Sequence, residues 1–116
     1  MNDPFKIGLC IPAEFLGNMM DAIEETIGTD PDSHYSRAFS YWPIKGTWRS
    51  LEGAEPYNGR IGEITVADEM RLEFVVDGTD LEKTIVTIRE HHPYEEPAID
   101  IIPLIDWRRF IPSNDM

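Results

Sequence analysis

Residues 91–100 read His-His-Pro-Tyr-Glu-Glu-Pro-Ala-Ile-Asp, which puts His91, His92, Tyr94, Glu95, Glu96 and Asp100 within one decapeptide. His92 with Glu95, or His91 with Glu96, pairs the nitrogen and oxygen ligands that zinc, copper or manganese accept. A histidine beside carboxylates also moves protons, and paired glutamates can split their pKa values. A third use is mechanical. Pro93 and Pro97 stiffen the chain, Tyr94 can pack its ring, and carboxylates can accept bonds from backbone N–H groups left over at a corner.

Each chemical use needs more than the stretch supplies. A protein-held metal ordinarily takes three or more ligands, and the adjacent His91 and His92 do not converge easily on one ion. His34, Glu55 or another subunit would have to complete the set. Catalysis lacks a nucleophile, because Ser36 and Ser40 sit in strand-like positions with no motif around them. Gly59 and Gly62 are isolated, so no phosphate-cradling loop is present. The mechanical use needs nothing further, and Pro93, Tyr94, Pro97 and Asp100 are expected to shape a corner. His91, His92, Glu95 and Glu96 are the ligand candidates for a divalent metal ion, the one cofactor considered.

The elements that must hold this corner are legible as changes of period. Phe5, Ile7, Leu9 and Ile11 alternate, which predicts a strand. Pro12 suits a helix start, and Phe15, Met19, Ile23 and Ile27 then recur at helical spacing up to a stop at Gly28. The two methionines on that face, Met19 and Met20, read as core rather than as a soft-metal stripe. Tyr35, Arg37, Phe39 and Tyr41 alternate again as a second strand. Residues 43–60 carry Pro43, Gly46, Gly53, Pro56 and Gly59, so they read as turns with a short hairpin. Ile61–Val66 and Met70–Val76 are the next strand signals. Thr79 and Glu82 form a capping-box pattern ahead of a helix with Leu81, Ile85 and Ile88 inward. That helix must end near His92, because Pro93 disfavours helical geometry in the residue before it. Residues 98–105 form a last strand.

Strand, helix, strand, excursion, strand, helix, strand is the split βαβ plan. The fold class is therefore α+β, a ferredoxin-like βαββαβ sandwich with an extra hairpin excursion between strands 2 and 3. One domain covers residues 1–105, and residues 106–116 are a C-terminal tail. The first strand and the Met70 strand belong in the centre, and the last strand, which contains Pro103, belongs at an edge.

Charge excludes several partners. Twenty-two acidic against ten basic side chains give a net charge of -12, which repels phosphate backbones and anionic membranes. The single cysteine, Cys10, precludes an internal disulfide and fits a reducing cytoplasm as a buried structural thiol. The start of the chain lacks the basic and apolar run of a secretory signal, and no apolar stretch approaches the ~20 residues of a membrane span. A soluble, cytoplasmic protein is expected.

HPYEEPAIDIIPL, residues 92–104, closely resembles the signature of the inserted middle domain of the Nif-three-like family, the NGG-one-interacting-factor proteins. LEGAEPYNGRIGEI (51–64) and MRLEFVVD (70–77) resemble that domain's loop and following strand, and HYSRAFSYWPIKGTW (34–48) its second-strand region more loosely. The resemblance spans roughly residues 5–105. It implies an architecture similar to the CutA divalent-cation-tolerance proteins, which are ferredoxin-like trimers related to the PII signalling proteins. Full-length family members hold a dinuclear metal site in two flanking domains, so the resemblance carries over the insert alone, without their hydrolase chemistry.

The expected function is accordingly a non-enzymatic, homo-oligomeric binding or regulatory module, with a trimer implied by the resemblance. A divalent-metal-binding protein using the His-Pro-Tyr-Glu-Glu-Pro corner is the alternative, and a metal-dependent hydrolase a further one. Trp42, Trp48, Tyr57, Trp107 and Phe110 fall outside the core pattern and read as surface for another subunit. A PII-like nucleotide site would have only Lys45, Arg49 and Arg60 in the excursion to meet phosphates.

Overall fold

Alternation in a strand records a sheet with one covered face. A computed structural model describes residues 3–112; residues 113–116 of the expected tail lie outside the described residues. Strand β1 (Pro4–Ile11) sends Phe5, Ile7, Leu9 and Ile11 to the covered side. Helix α1 (Leu16–Ile27) answers with Leu16, Met19 and Ile23, and ends at Gly28, whose φ of 73° an L side chain would resist. Strand β2 is Ser40–Arg49 and β3 is Ile64–Asp77. Helix α2 (Leu81–His91) precedes β4 (Ile99–Pro103).

The four strands form one antiparallel sheet in the order β2-β3-β1-β4, the ferredoxin-like arrangement. Both helices lie on one face. The core between them and the sheet is made of Ile7, Leu9, Ile11, Leu72, Phe74, Val76, Met19, Ile23 and Ile88. The helices are joined by a 2.7 Å hydrogen bond between the hydroxyls of Thr26 and Thr87. As expected, β1 and β3 are central, and Pro103 sits in an edge strand.

Three expectations shift. The second strand does not run through residues 35–41 but begins at Ser40 and continues through Pro43 and Gly46 to Arg49. An edge strand tolerates a proline, since only one side of it must supply ladder donors. Residues 34–39 are irregular, with Arg37 at φ 55° and bound to Asp21 (2.7 Å) and Glu24 (2.8 Å) of α1. The Ile61–Val66 and Met70–Val76 signals merge into one long strand, because β2 pairs with it without interruption from Ile64 to Glu73. The Thr79–Glu82 box is not made. A 3-10 turn at Gly78–Asp80 leads into α2, and the Leu81 N–H bonds Gly78 O instead.

β1 pairs with β3 only from Met70 onward, so Ile44–Arg49 and Ile64–Glu69 project past the sheet as a two-stranded ribbon. This ribbon and the 50–63 loop at its tip are the excursion between strands 2 and 3. On the uncovered face, Arg71 reaches Asp100 of β4 at 2.8 Å and Glu73 at 3.4 Å. It crosses β1 at Gly8, where a Cβ would collide with the guanidinium. No helix among the described residues is long and apolar enough to cross a membrane.

Ile23 is fully buried in the core. Ile23→Ala should lower the unfolding free energy by about 2–5 kcal/mol in urea titration. Val86→Ala, on the outer side of α2, should stay within about 0.5 kcal/mol.

Candidate functional site

The corner after α2 is built by turning one histidine inward. Pro93 ends the helix, and His92 adopts extended backbone angles (φ -90°, ψ 132°). Its ring is then buried against the end of β1. Nε2 lies 2.7 Å from the Cys10 carbonyl, and Nδ1 accepts the Tyr94 N–H at 3.1 Å. An acceptor at Nδ1 and a donor at Nε2 assign the neutral tautomer. Burial pushes the His92 pKa below its ordinary value, outweighing the opposite pull of the Cys10 carbonyl and Glu69.

Tyr94 comes next. Its ring stacks obliquely on His92 (4.9 Å between centroids) and approaches Trp48 of β2 (5.5 Å) and Tyr57 of the loop (6.0 Å). Its hydroxyl donates to Glu69 Oε2 of β3 at 2.6 Å. Burial, the bond to Glu69 and that carboxylate's charge push the phenol well above its usual pKa. Glu95 Oε1 accepts the Glu55 N–H at 3.1 Å and so ties the 50–58 loop to the corner. Tyr57 completes the join, with its ring edge-on to Phe15 (5.6 Å) and its hydroxyl donating to Glu14 (3.1 Å).

These contacts enclose a cleft of about 900 Å³ between ribbon, loop and corner. Ile44, Gly46 and Trp48 of β2 form one wall and Tyr94, Glu95, Glu96 and Ala98 the other, with Glu69 between them and Tyr57 at the loop side. Glu69 is a charged side chain only 6% exposed. A Cβ at Gly46 would strike its carboxylate, so this glycine makes the room that Glu69 occupies.

The sequence-nominated ligands are thus dispersed. His91 turns away from the cleft, with Nδ1 2.9 Å from the Thr87 carbonyl of its own helix. His92 has both nitrogens engaged. Glu95 and Glu96 line the cleft, and Glu55 meets the corner through its backbone rather than its carboxylate. His34 lies in the irregular stretch between α1 and β2. Among the described residues, no three His, Cys, Asp or Glu side chains are grouped to hold one ion. Asp100 pairs with Arg71 on the open sheet face. Sequence reasoning missed Glu69. Its signal was phase, since Glu69, Arg71 and Glu73 alternate with Met70, Leu72 and Phe74, and a carboxylate in that row faces the corner rather than the core.

No family model matches the chain. A Staphylococcus epidermidis protein named GTP cyclohydrolase 1 type 2 homolog is 32% identical over 100 residues, covering 86% of this chain and 27% of the relative. A Staphylococcus aureus protein of the same name is 28% identical over the same shares. Among solved structures, a Bacillus cereus protein related to NIF3 superposes with a TM-score of 0.75 at 24% identity, over 90% of this chain and 26% of that one. The chain is a Nif-three-like module. It spans about a quarter of the length of the curated relatives it matches. The module has a CutA-like fold: the periplasmic divalent cation tolerance protein CutA of Archaeoglobus fulgidus superposes with a TM-score of 0.65 at 17% identity, over 93% of this chain and 91% of that one. Bacillus subtilis GlnK gives 0.61 at 13%, over 89% and 86%.

Two consequences can be measured. Tyr94→Phe removes the donor to a buried carboxylate and should cost about 1–3 kcal/mol of stability, read by chemical denaturation. His92 has a lower pKa folded than unfolded, so the unfolded chain binds the extra proton and acid favours unfolding. Stability should be full above the ordinary value of 6.5 and fall as pH drops through it toward the folded pKa. His92→Gln should flatten that part of the profile; an unchanged slope would show that another group titrates.

Proposed function

We propose that the module is a homo-oligomeric binding element rather than a catalyst. The observation that carries this reading is the open face of the sheet. Both helices cover the other face, leaving Trp42, Val75 and Ile102 about half exposed beside the Lys6–Glu73–Arg71–Asp100 charges. Apolar surface flanking a preformed charge network suits a partner that buries the first and pairs with the second. A second copy supplies both, and a trimer is the assembly the CutA-like fold suggests by analogy. Trp107 and Phe110, exposed on the 3-10 turn after β4, add apolar surface near the same edge strand.

The binding half of the proposal rests on the cleft, whose walls are locked by side-chain bonds and whose volume suits a small molecule. His92 and Tyr94 spend their polar atoms holding those walls together, which favours binding over proton transfer. A divalent ion at the corner would have to take His92 Nε2 from the Cys10 carbonyl, so the metal reading fits the geometry less well. The cyclohydrolase name of the curated relatives belongs to chains of which this module matches 27%.

Sedimentation or light scattering on the purified chain tests the assembly. A discrete homo-oligomer at micromolar concentration is expected, with Ile102→Glu dissociating it while the helical signal persists. A wild-type monomer that stays monomeric as concentration rises would refute the assembly.

A further inference from the structure

We infer that the cleft is a receptor for a small organic cation, an alkylammonium or guanidinium group, held by Glu69 inside a frame of Trp48, Tyr57 and Tyr94. This deepens the proposed binding role and rests on it. Glu69 is more than nine-tenths buried, yet among the described residues only one of its oxygens has a partner, Oε2 with the Tyr94 hydroxyl. Oε1 lies over Gly46 in the cleft wall with no hydrogen bond from any described residue. Asp77 Oδ1 is the one side-chain polar atom buried without a partner among the described residues, so Glu69 Oε1 is open to the cleft, where it can accept from a donor that enters.

Among the described residues, the chain's own cations do not meet that oxygen. Lys45 and Arg49 also line the cleft, but Lys45 pairs with Asp68 at 2.5 Å and Arg49 donates to the Gly62 carbonyl at 2.6 Å. The surroundings also select for positive charge. Trp48 and Tyr57 stand 5.5 and 6.0 Å from the Tyr94 ring, centroid to centroid, and aromatic faces attract cations. Glu52, Glu95 and Glu96 add negative potential to the cleft. A bare metal ion is a poorer occupant, since no histidine lines the cleft and no three ligating side chains are grouped among the described residues. An anion such as a phosphate would have to approach Glu69 against its charge.

The full chain is titrated with agmatine, with choline and with uncharged isoamyl alcohol, following tryptophan fluorescence and the amide signals of residues 44–49 and 94–98. Saturable shifts with agmatine or choline, and none with the alcohol, are expected. Glu69→Gln keeps the shape and an acceptor for Tyr94, and should weaken cation binding about tenfold or more. Trp48→Leu should weaken it as well, and carries the test if Glu69→Gln fails to fold. Equal affinity in a folded variant overturns the proposal. So does a wild-type chain that ignores both cations; if Glu69→Gln then also loses its assembly, the carboxylate belongs to a contact between copies. Because the sheet face and the cleft use different residues, Ile102→Glu should abolish assembly without touching cation affinity, which separates failure of this inference from failure of the assembly.

Discussion

The neutral imidazole of His92 is the constraint on which the corner depends. The Cys10 carbonyl sits at the end of a central strand, and the Tyr94 N–H sits just past a proline that stops the helix. Each is a backbone group that its own element cannot satisfy, and burying either without a partner would cost free energy. One ring supplies an acceptor to the first residue past Pro93 and a donor to β1. A charged imidazole would have two donors and would lose the Tyr94 contact, so burial and the Tyr94 hydrogen bond favour the same neutral state, against the weaker pull of the Cys10 carbonyl. Fixing that ring fixes where Tyr94 points, and Tyr94 fixes Glu69.

From there the ordering spreads outward along contacts that individually are modest. Tyr94 touches the ribbon through Trp48 and the loop through Tyr57, and Tyr57 in turn reaches the start of α1 through Phe15 and Glu14. Glu95 clips the loop by a backbone N–H. A ribbon projecting beyond its sheet has no core of its own, and two strands alone are marginal in water. The corner is what the ribbon leans on. This explains why prolines and glutamates, poor strand and core residues, are concentrated at that junction.

The sheet order, both helices and the edge position of β4 were legible because they follow from period and punctuation. The ribbon was not. Pro43 and Gly46 are turn residues by local preference, yet both lie in β2, because an edge strand forgives the proline and Glu69 needs the space above the glycine. Local rules cannot see a requirement set by a residue more than twenty positions away. The corner's place between α2 and β4 was legible as well, from Pro93 and the strand pattern that follows it. Its histidines and glutamates were visible as candidate ligands, but whether a ring faces inward or outward depends on which backbone groups lie within reach, and sequence spacing does not encode that. Glu69 was hidden for the same reason: its importance lies in its burial, and acidic residues are ordinarily exposed.

A buried carboxylate also constrains what the module can be. If Glu69 served stability alone, an uncharged acceptor for Tyr94 would do so at lower desolvation cost. The site instead keeps a carboxyl group, leaves one oxygen uncovered by the described residues, and sets it beside rings whose faces favour cations. Structural need accounts for Oε2 and not for Oε1. The part of the carboxyl group that folding does not use is the part a ligand can.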